Sequence, residues 1–143
     1  RFLMLKINLS DPLPKFQLVR LQKLDGAKYY GPFPHSGALR FTYDWLNKNF
    51  GLRTCRAKVP GEVQYKHCND DVIRNCSAPC VQKVDKIEYL EQVNKACQFL
   101  EGGWRERVSE LEKQMNDASE NNDFEMAANC RDMIQSLRKT LKK

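Results

Sequence analysis

Four cysteines, Cys55, Cys68, Cys76 and Cys80, crowd one stretch of the chain at a spacing of C-x12-C-x7-C-x3-C. The stretch is poor in apolar residues and is broken by Pro60, Gly61 and Pro79, so burial alone cannot hold it together. A metal or a covalent bridge is needed. The other two cysteines, Cys97 and Cys130, stand alone at positions that fit helical apolar stripes and read as small core hydrophobes.

Soft thiolates select zinc or iron–sulfur clusters over hard cations. Four of them in one loop can close a tetrahedral zinc site or supply one ligand to each iron of a cubane cluster. The C-x2-C pairs usual in zinc sites are missing, and only Cys76 and Cys80 are close together, a spacing that suits the larger cluster somewhat better. Zinc, an iron–sulfur cluster, and disulfides or free thiols all stay open on these grounds. His67 is discounted as a ligand, because adjacent residues such as His67 and Cys68 seldom bind one ion together.

The 143 residues can form one domain or two small ones. No run of about 18 apolar residues occurs, so no membrane span is expected. The opening RFLMLKINLS lacks the order of a signal peptide. A start at Arg1 rather than Met is what a fragment or a processed protein would show. The expected compartment is the cytoplasm or an organelle matrix, where thiols stay reduced and clustered cysteines more often bind metal than pair.

The net charge of +6 is uneven. Up to Pro60 eleven basic residues face three acidic ones, an excess of eight, whereas 61–102 carries a net −2 and the remainder is neutral. Such asymmetry suits a surface that meets phosphates. The candidate DNA contacts in this half are Arg20, Lys23, Lys28, Arg40, Arg53 and Arg56.

Residues 2–7 and 16–24 read as strands, separated by Asp11, Pro12 and Pro14. Asp25-Gly26 then predicts a two-residue hairpin turn from the second strand into Ala27–Tyr30, and Gly31-Pro32-Phe33-Pro34 should end the sheet. Ser36 fits as the N-cap of a helix to about Asn49, with Leu39, Thr42, Tyr43, Leu46 and Phe50 at helical spacing and Gly51 closing it. Phe41 and Trp45 lie on another face, partly exposed or packed on the sheet. From Leu52 to Val84 no periodicity survives. Asp85 and Glu88 form a capping box for a helix whose stripe is Leu90, Val93, Cys97 and Leu100, interrupted at Gly102-Gly103.

Trp104, Val108, Leu111, Met115 and Ala118, then Ala127, Cys130, Ile134, Leu137 and Leu141, step by threes and fours on either side of Asn121-Asn122-Asp123. They predict an antiparallel αα-hairpin. A pair this short should leave part of its stripe uncovered, open to a partner helix or to self-association with a second copy. The expected fold is α+β and mostly α: a small antiparallel N-terminal sheet with a helix, an irregular cysteine-rich metal knuckle, a helix and a helical hairpin. The segments divide as 1–84, 85–102 and 103–143.

No catalytic set is legible. His35 and His67 are the only histidines, and HExxH, GxSxG and Gly-rich phosphate loops are absent. Asp70-Asp71 fits a turn in a polar loop. Tyr29-Tyr30-Gly31 lacks the arginine and glutamate partners of a tyrosine-based nuclease.

Several segments together resemble the UvrC excinuclease family of bacterial nucleotide excision repair: DGAKYYGPFPHSGALR at 25–40, GLRTCR at 51–56, NCSAPCV at 75–81, YLEQV and FLEG within 89–102, and LEKQMNDASENNDFEMAANCRDMIQSLR at 111–138. The last is similar to the UVR motif. The resemblance implies the central, non-catalytic region of a larger structure-specific endonuclease, in which a GIY-YIG nuclease domain precedes this region and RNase-H-like and helix-hairpin-helix parts follow it. It implies a 4Fe-4S cluster on Cys55, Cys68, Cys76 and Cys80, with Zn2+ as the alternative. It also implies docking onto a UvrB-like helicase subunit through Leu111, Met115, Phe124, Glu125, Ala128, Arg131 and Ile134, contact with DNA, and a place in the SOS response. The cluster would act as the joint between the basic half and the hairpin.

Two positions depart from the family. Asn122 stands where a leucine is usual at the hairpin turn, and Cys130 replaces a usual leucine. Losing an apolar turn residue removes roughly 1 to 2 kcal/mol of docking surface. A non-nuclease scaffold or interaction protein derived from the same region, such as a component of an organellar assembly, is the alternative reading.

Overall fold

The computed structural model describes residues 1–70 and 74–142. Three strands, β1 (Leu3–Ile7), β2 (Phe16–Val19) and β3 (Lys28–Phe33), precede a long helix α1 (Ser36–Phe50) and a single turn α2 (Glu62–Tyr65). A 3-10 turn (Pro79–Val81) leads to α3 (Lys86–Gln98), and a π-turn (Phe99–Gly103) joins α3 to the hairpin of α4 (Trp104–Glu120) and α5 (Phe124–Leu141). The fold is mostly helical with a small antiparallel sheet, as expected.

The expected hairpin between the second and third strands does not form. The strand order is β2-β1-β3, with β1 antiparallel to both neighbours. Leu3, Met4, Leu5 and Ile7 are all buried, and a strand buried on both faces belongs at the centre of its sheet. Asp25-Gly26 lies instead in the loop that crosses from one edge to the other, where Asp25 accepts hydrogen bonds from the Ala27 amide and, at 2.7 Å, from Lys6 on β1. The second strand also stops at Val19 rather than 24, since its ladder with β1 ends there.

The third strand does not stop before Gly31-Pro32 but runs through it. Pairing steps from Leu5↔Tyr30 to Leu3↔Phe33, so β3 carries one extra residue, a bulge on an edge strand where proline costs no ladder bond. Gly31 has φ +114, and a Cβ there would lie 2.9 Å from the Phe33 ring.

Ser36 is the first residue of α1 rather than its cap; His35 precedes the helix and makes no side-chain cap bond. Leu39, Thr42 and Leu46 are buried, Phe41 is exposed, and Trp45 packs on Phe50 and Phe99, its ring 5.0 Å from that of Phe99, rather than on the sheet. Gly51 closes the helix in the left-handed conformation. Asp85 caps α3 by accepting from the Glu88 amide at 2.8 Å. The buried stripe of α3 includes Tyr89 and Ala96 beside Val93 and Cys97, while Leu90 is only half-buried.

The hairpin seam is more fully covered than its length suggested. Val108, Leu111, Cys130, Ile134 and Leu137 are buried, and α1 packs against α5, with Thr42 and Thr140 hydroxyls 3.0 Å apart where the helices meet. A continuous hydrophobic core runs from Leu5 and Phe16 in the sheet through Tyr89 and Val93 to Leu111 and Leu137. No described helix is long and apolar enough to cross a membrane.

Candidate metal centre

The segment between α1 and α3 is irregular because its sequence has no apolar period, and its shape comes from hydrogen bonds to the elements around it. At its start Arg53 is 3% exposed. Its Nε donates to the Leu13 carbonyl at 2.7 Å, Nη1 to the carbonyls of Cys55 and Ala57 and to Cys55 Sγ, and Nη2 to the Lys58 carbonyl. Tyr89 of α3, also buried, donates to the Pro14 carbonyl at 2.7 Å and accepts from the Arg53 amide. Burial holds the Tyr89 phenol above its ordinary value.

The other end of the segment is tied to the C-terminus of α1. Ser77 donates through both its amide and its hydroxyl to the Gly51 carbonyl, at 2.9 and 2.8 Å, and Asn75 Nδ2 donates to the Lys48 carbonyl. Arg74 donates to Thr54 Oγ1. Asp70 is helical rather than a loop turn, and its carbonyl accepts from the Arg74 and Cys76 amides; Asp71 lies outside the described residues. Asn75, Ala78 and Gln82 have φ values of 56, 53 and 57, left-handed positions that cost a non-glycine residue roughly 1 kcal/mol each. The bend at Ala78 brings its amide to 3.4 Å from Cys76 Sγ.

These ties bring Cys55, Cys68, Cys76 and Cys80 to the wall of one pocket, completed by Pro60, Tyr65, Ala78 and Pro79. All six cysteines are free thiols. The clustered sulfurs accept hydrogen bonds, Cys55 from Arg53, Cys68 from the Asp70 amide at 3.3 Å, and Cys76 from the Ala78 amide. Burial pushes the Cys76 thiol up to about 11, against the pull of the Ala78 amide, and the sulfurs of Cys55, Cys80 and Cys68 add to the rise. Burial and then Cys55 raise Cys80 as well. Sulfurs that repel one another as anions yet accept hydrogen bonds suit a bound cationic centre, which deprotonates its thiols. Among the described residues no three of His, Cys, Asp and Glu close tightly enough to hold one metal ion. His67 is exposed and does not line the pocket.

Of the candidate DNA contacts only Arg53 and Arg56 line a common pocket, and the others are dispersed. Arg20 and Lys23 lie exposed beyond β2, Arg20 donating to the Arg1 carbonyl; Lys28 pairs with Glu101 at 3.4 Å; Arg40 is exposed on α1 and Arg56 on the cysteine loop. Arg53 is withdrawn from the set, because its guanidinium is enclosed by the carbonyls it organises. Of the docking candidates, Leu111 and Ile134, 2% and 4% exposed, form the internal seam of the hairpin. Met115 and Arg131 line a groove between α4 and α5 with Glu112 and Asn116, while Ala128 is half-buried. Phe124 is 67% exposed at the hairpin tip beside Glu125 and Met126. Asn122 occupies the turn at φ 59, a left-handed position that asparagine adopts more readily than leucine, and Cys130 fills its leucine position as a buried hydrophobe.

Sequence reading missed Arg53 and Tyr89 as organisers and Ser77 as the tether. Only the position of Arg53, two residues before a cysteine, hinted at its part.

The family described as UvrC/Cho excinuclease, middle domain, matches residues 2–99, and the UvrB/uvrC motif matches 105–140. The chain belongs to the UvrC family. Proteins named UvrABC system protein C are similar along nearly all of it: 39% identity over 97% of the chain in Syntrophus aciditrophicus, 37% over 100% in Desulfatibacillum aliphaticivorans and 40% over 94% in Dictyoglomus thermophilum. The chain spans 22%, 24% and 22% of those UvrC relatives. No solved structure matches it. The boundary between the two UvrC matches, 99 to 105, coincides with the π-turn Phe99–Gly103, where Gly102 at φ 149 breaks the helical path.

Proposed function

We propose that this chain serves nucleotide excision repair as the central, non-catalytic region of a UvrC-type excinuclease. In that role it contacts DNA through its basic N-terminal half and docks onto a UvrB-like helicase through its hairpin. The observation that carries the reading is the joint occurrence, in order and in one continuous core, of the middle-domain fold and a UVR hairpin whose seam is buried and whose tip is bare. A buried seam makes the hairpin a rigid presenter. Phe124, Glu125 and Met126 at the tip, with Met115 and Arg131 in the adjoining groove, then form the surface that a matching hairpin would meet.

Within the same reading Cys55, Cys68, Cys76 and Cys80 hold a 4Fe-4S cluster. The donor set fits it: four thiols on one apolar pocket, with N–H donors on the sulfurs of Cys55, Cys68 and Cys76. When bound, the cluster supplies a cationic iron core that neutralises four thiolates. The chain's own residues do the rest: Arg53 and the Asp70 and Ala78 amides orient the sulfurs, and Pro60, Ala78 and Pro79 shield them from water.

An anaerobic preparation titrated into a UvrB-like helicase tests both halves. Expected are brown protein with four irons per chain and saturable binding. Colourless protein with one zinc would overturn the cofactor, and absence of binding would overturn the docking role.

A further inference from the structure

A second pocket lies on the other side of Arg53 from the thiols. Its walls are Lys6 and Asn8 at the end of β1, Asp11 and Lys15 in the following connection, Gln17 on β2, and Arg53, Arg56 and Lys58 on the cysteine loop. Five cations thus face one carboxylate. Lys6 is already paired with Asp25, but the ion pairs among the described residues include none of Lys15, Arg53, Arg56 or Lys58. Lys15 and Arg53 are held by carbonyls, Lys15 donating to the Cys55 carbonyl at 2.6 Å. Carbonyl oxygens satisfy donors without cancelling charge. The pocket therefore keeps a concentrated positive potential, and its space of about 280 Å3 admits an oxyanion with several waters, each water occupying roughly 30 Å3.

We propose that this pocket is a binding site for a backbone phosphate of nucleic acid, held by Arg56 and Lys58 at the rim over the fixed charges of Lys15 and Arg53 beneath. The inference rests on the DNA-binding reading above and gives that reading a location. A phosphodiester fits better than a small carboxylate, because the rim is open, Arg56 can offer a planar fork, and Asn8 and Gln17 add amide donors for the remaining oxygens. The basic excess of the first 60 residues draws a polyanion toward the same face. Since Arg53 donates to Cys55 Sγ and Lys15 to the Cys55 carbonyl, the pocket shares its floor with the thiol loop. Order in that loop and occupancy of the pocket support each other.

The test is the binding of fluorescein-labelled duplex to the full chain across a salt series, with R56Q/K58Q compared with K113Q/K139Q, which removes two charges from exposed hairpin positions. Both pairs are exposed, so a matched thermal midpoint confirms folding. Expected for R56Q/K58Q is at least a tenfold loss of affinity at low salt and a log–log salt slope shallower by about 0.9 for each phosphate no longer neutralised. The hairpin pair should leave the slope unchanged, and inorganic phosphate at constant ionic strength should compete with duplex for the wild type. If duplex binds with a steep slope that R56Q/K58Q does not alter, the pocket is not the site although the DNA reading stands. If the wild-type chain does not bind duplex, the DNA reading and this assignment both fall. If phosphate binds the wild type while duplex affinity ignores the variant, the pocket serves a free anion and the proposal is wrong.

Discussion

Arg53 shows how differently one residue can act from what its charge suggests. In the linear chain it is one of a group of cations in a basic half, grouped with Arg56 as a candidate for touching DNA. In the fold its guanidinium spends its donors on the carbonyls of Leu13, Cys55, Ala57 and Lys58 and on the Cys55 sulfur. Replacing it with methionine keeps much of the volume but strands those carbonyls, each at a cost of roughly 1 to 3 kcal/mol where water does not reach. Arg53→Met is expected to lower the stability of the chain by at least about 3 kcal/mol, read from the denaturant midpoint at unchanged slope. Arg53→Lys, with three donors and no planar fork, should recover only part of it. A variant of full stability that merely bound DNA less well would return Arg53 to the set of direct DNA ligands. The grouping of the four cysteines around one pocket was legible because their crowding in the chain is local. The arginine was not, since its partner at Leu13 lies far away in the chain and charge does not encode burial.

Among the elements, the hairpin was the most legible and the sheet the least. Steps of three and four fix a helix face without reference to the rest of the molecule, and Asp123 caps α5, accepting from the Met126 amide at 3.2 Å. Strand order is different. Asp25-Gly26 is a strong local hairpin signal, but the full burial of β1 outweighs it, and no local pattern reveals which strand will be central. The same distinction separates two hairpin residues that sequence similarity places in one docking set. Ile134→Ala should cost about 2 to 5 kcal/mol of stability by opening a cavity in the seam. Phe124→Ser should change stability by less than about 0.5 kcal/mol, as expected of an exposed side chain, while weakening binding to a UvrB-like partner at least tenfold. Thermal melts and a titration of each variant check the contrast. Equal losses of stability, or full partner binding by Phe124→Ser, would mean that the tip is not the docking surface.

For the molecule as a whole, the question is what the thiol loop holds together. Its place between a basic half and a partner-binding hairpin suggested a joint, yet the core joins sheet to hairpin directly, and its residues pass from Leu52 to Tyr89 without one from the cysteine loop. The loop is attached at its margins, by Arg53 and Tyr89 to the Leu13-Pro14 connection and by Ser77 and Asn75 to the end of α1. Three left-handed residues oppose its shape, and the sulfurs would repel one another once ionised; metal–thiolate bonds of the proposed cluster would offset both. On the proposed cluster reading the loop would depend on metal locally, with a core that does not need it. Hydrogen exchange on loaded and metal-stripped chain should therefore differ in the amides of 54–70 and 74–83, which lose at least about tenfold protection on stripping, while β1, α3 and α5 keep theirs. Loss of protection in all of them in one cooperative step would make the loop part of the global folding unit. The phosphate pocket is the region between these two regimes: Lys6 and Gln17 sit on strands that persist, Arg56 and Lys58 on the loop that loosens. Stripping the metal should accordingly weaken duplex binding to about the level of R56Q/K58Q and no further, because only the loop half of the pocket is lost.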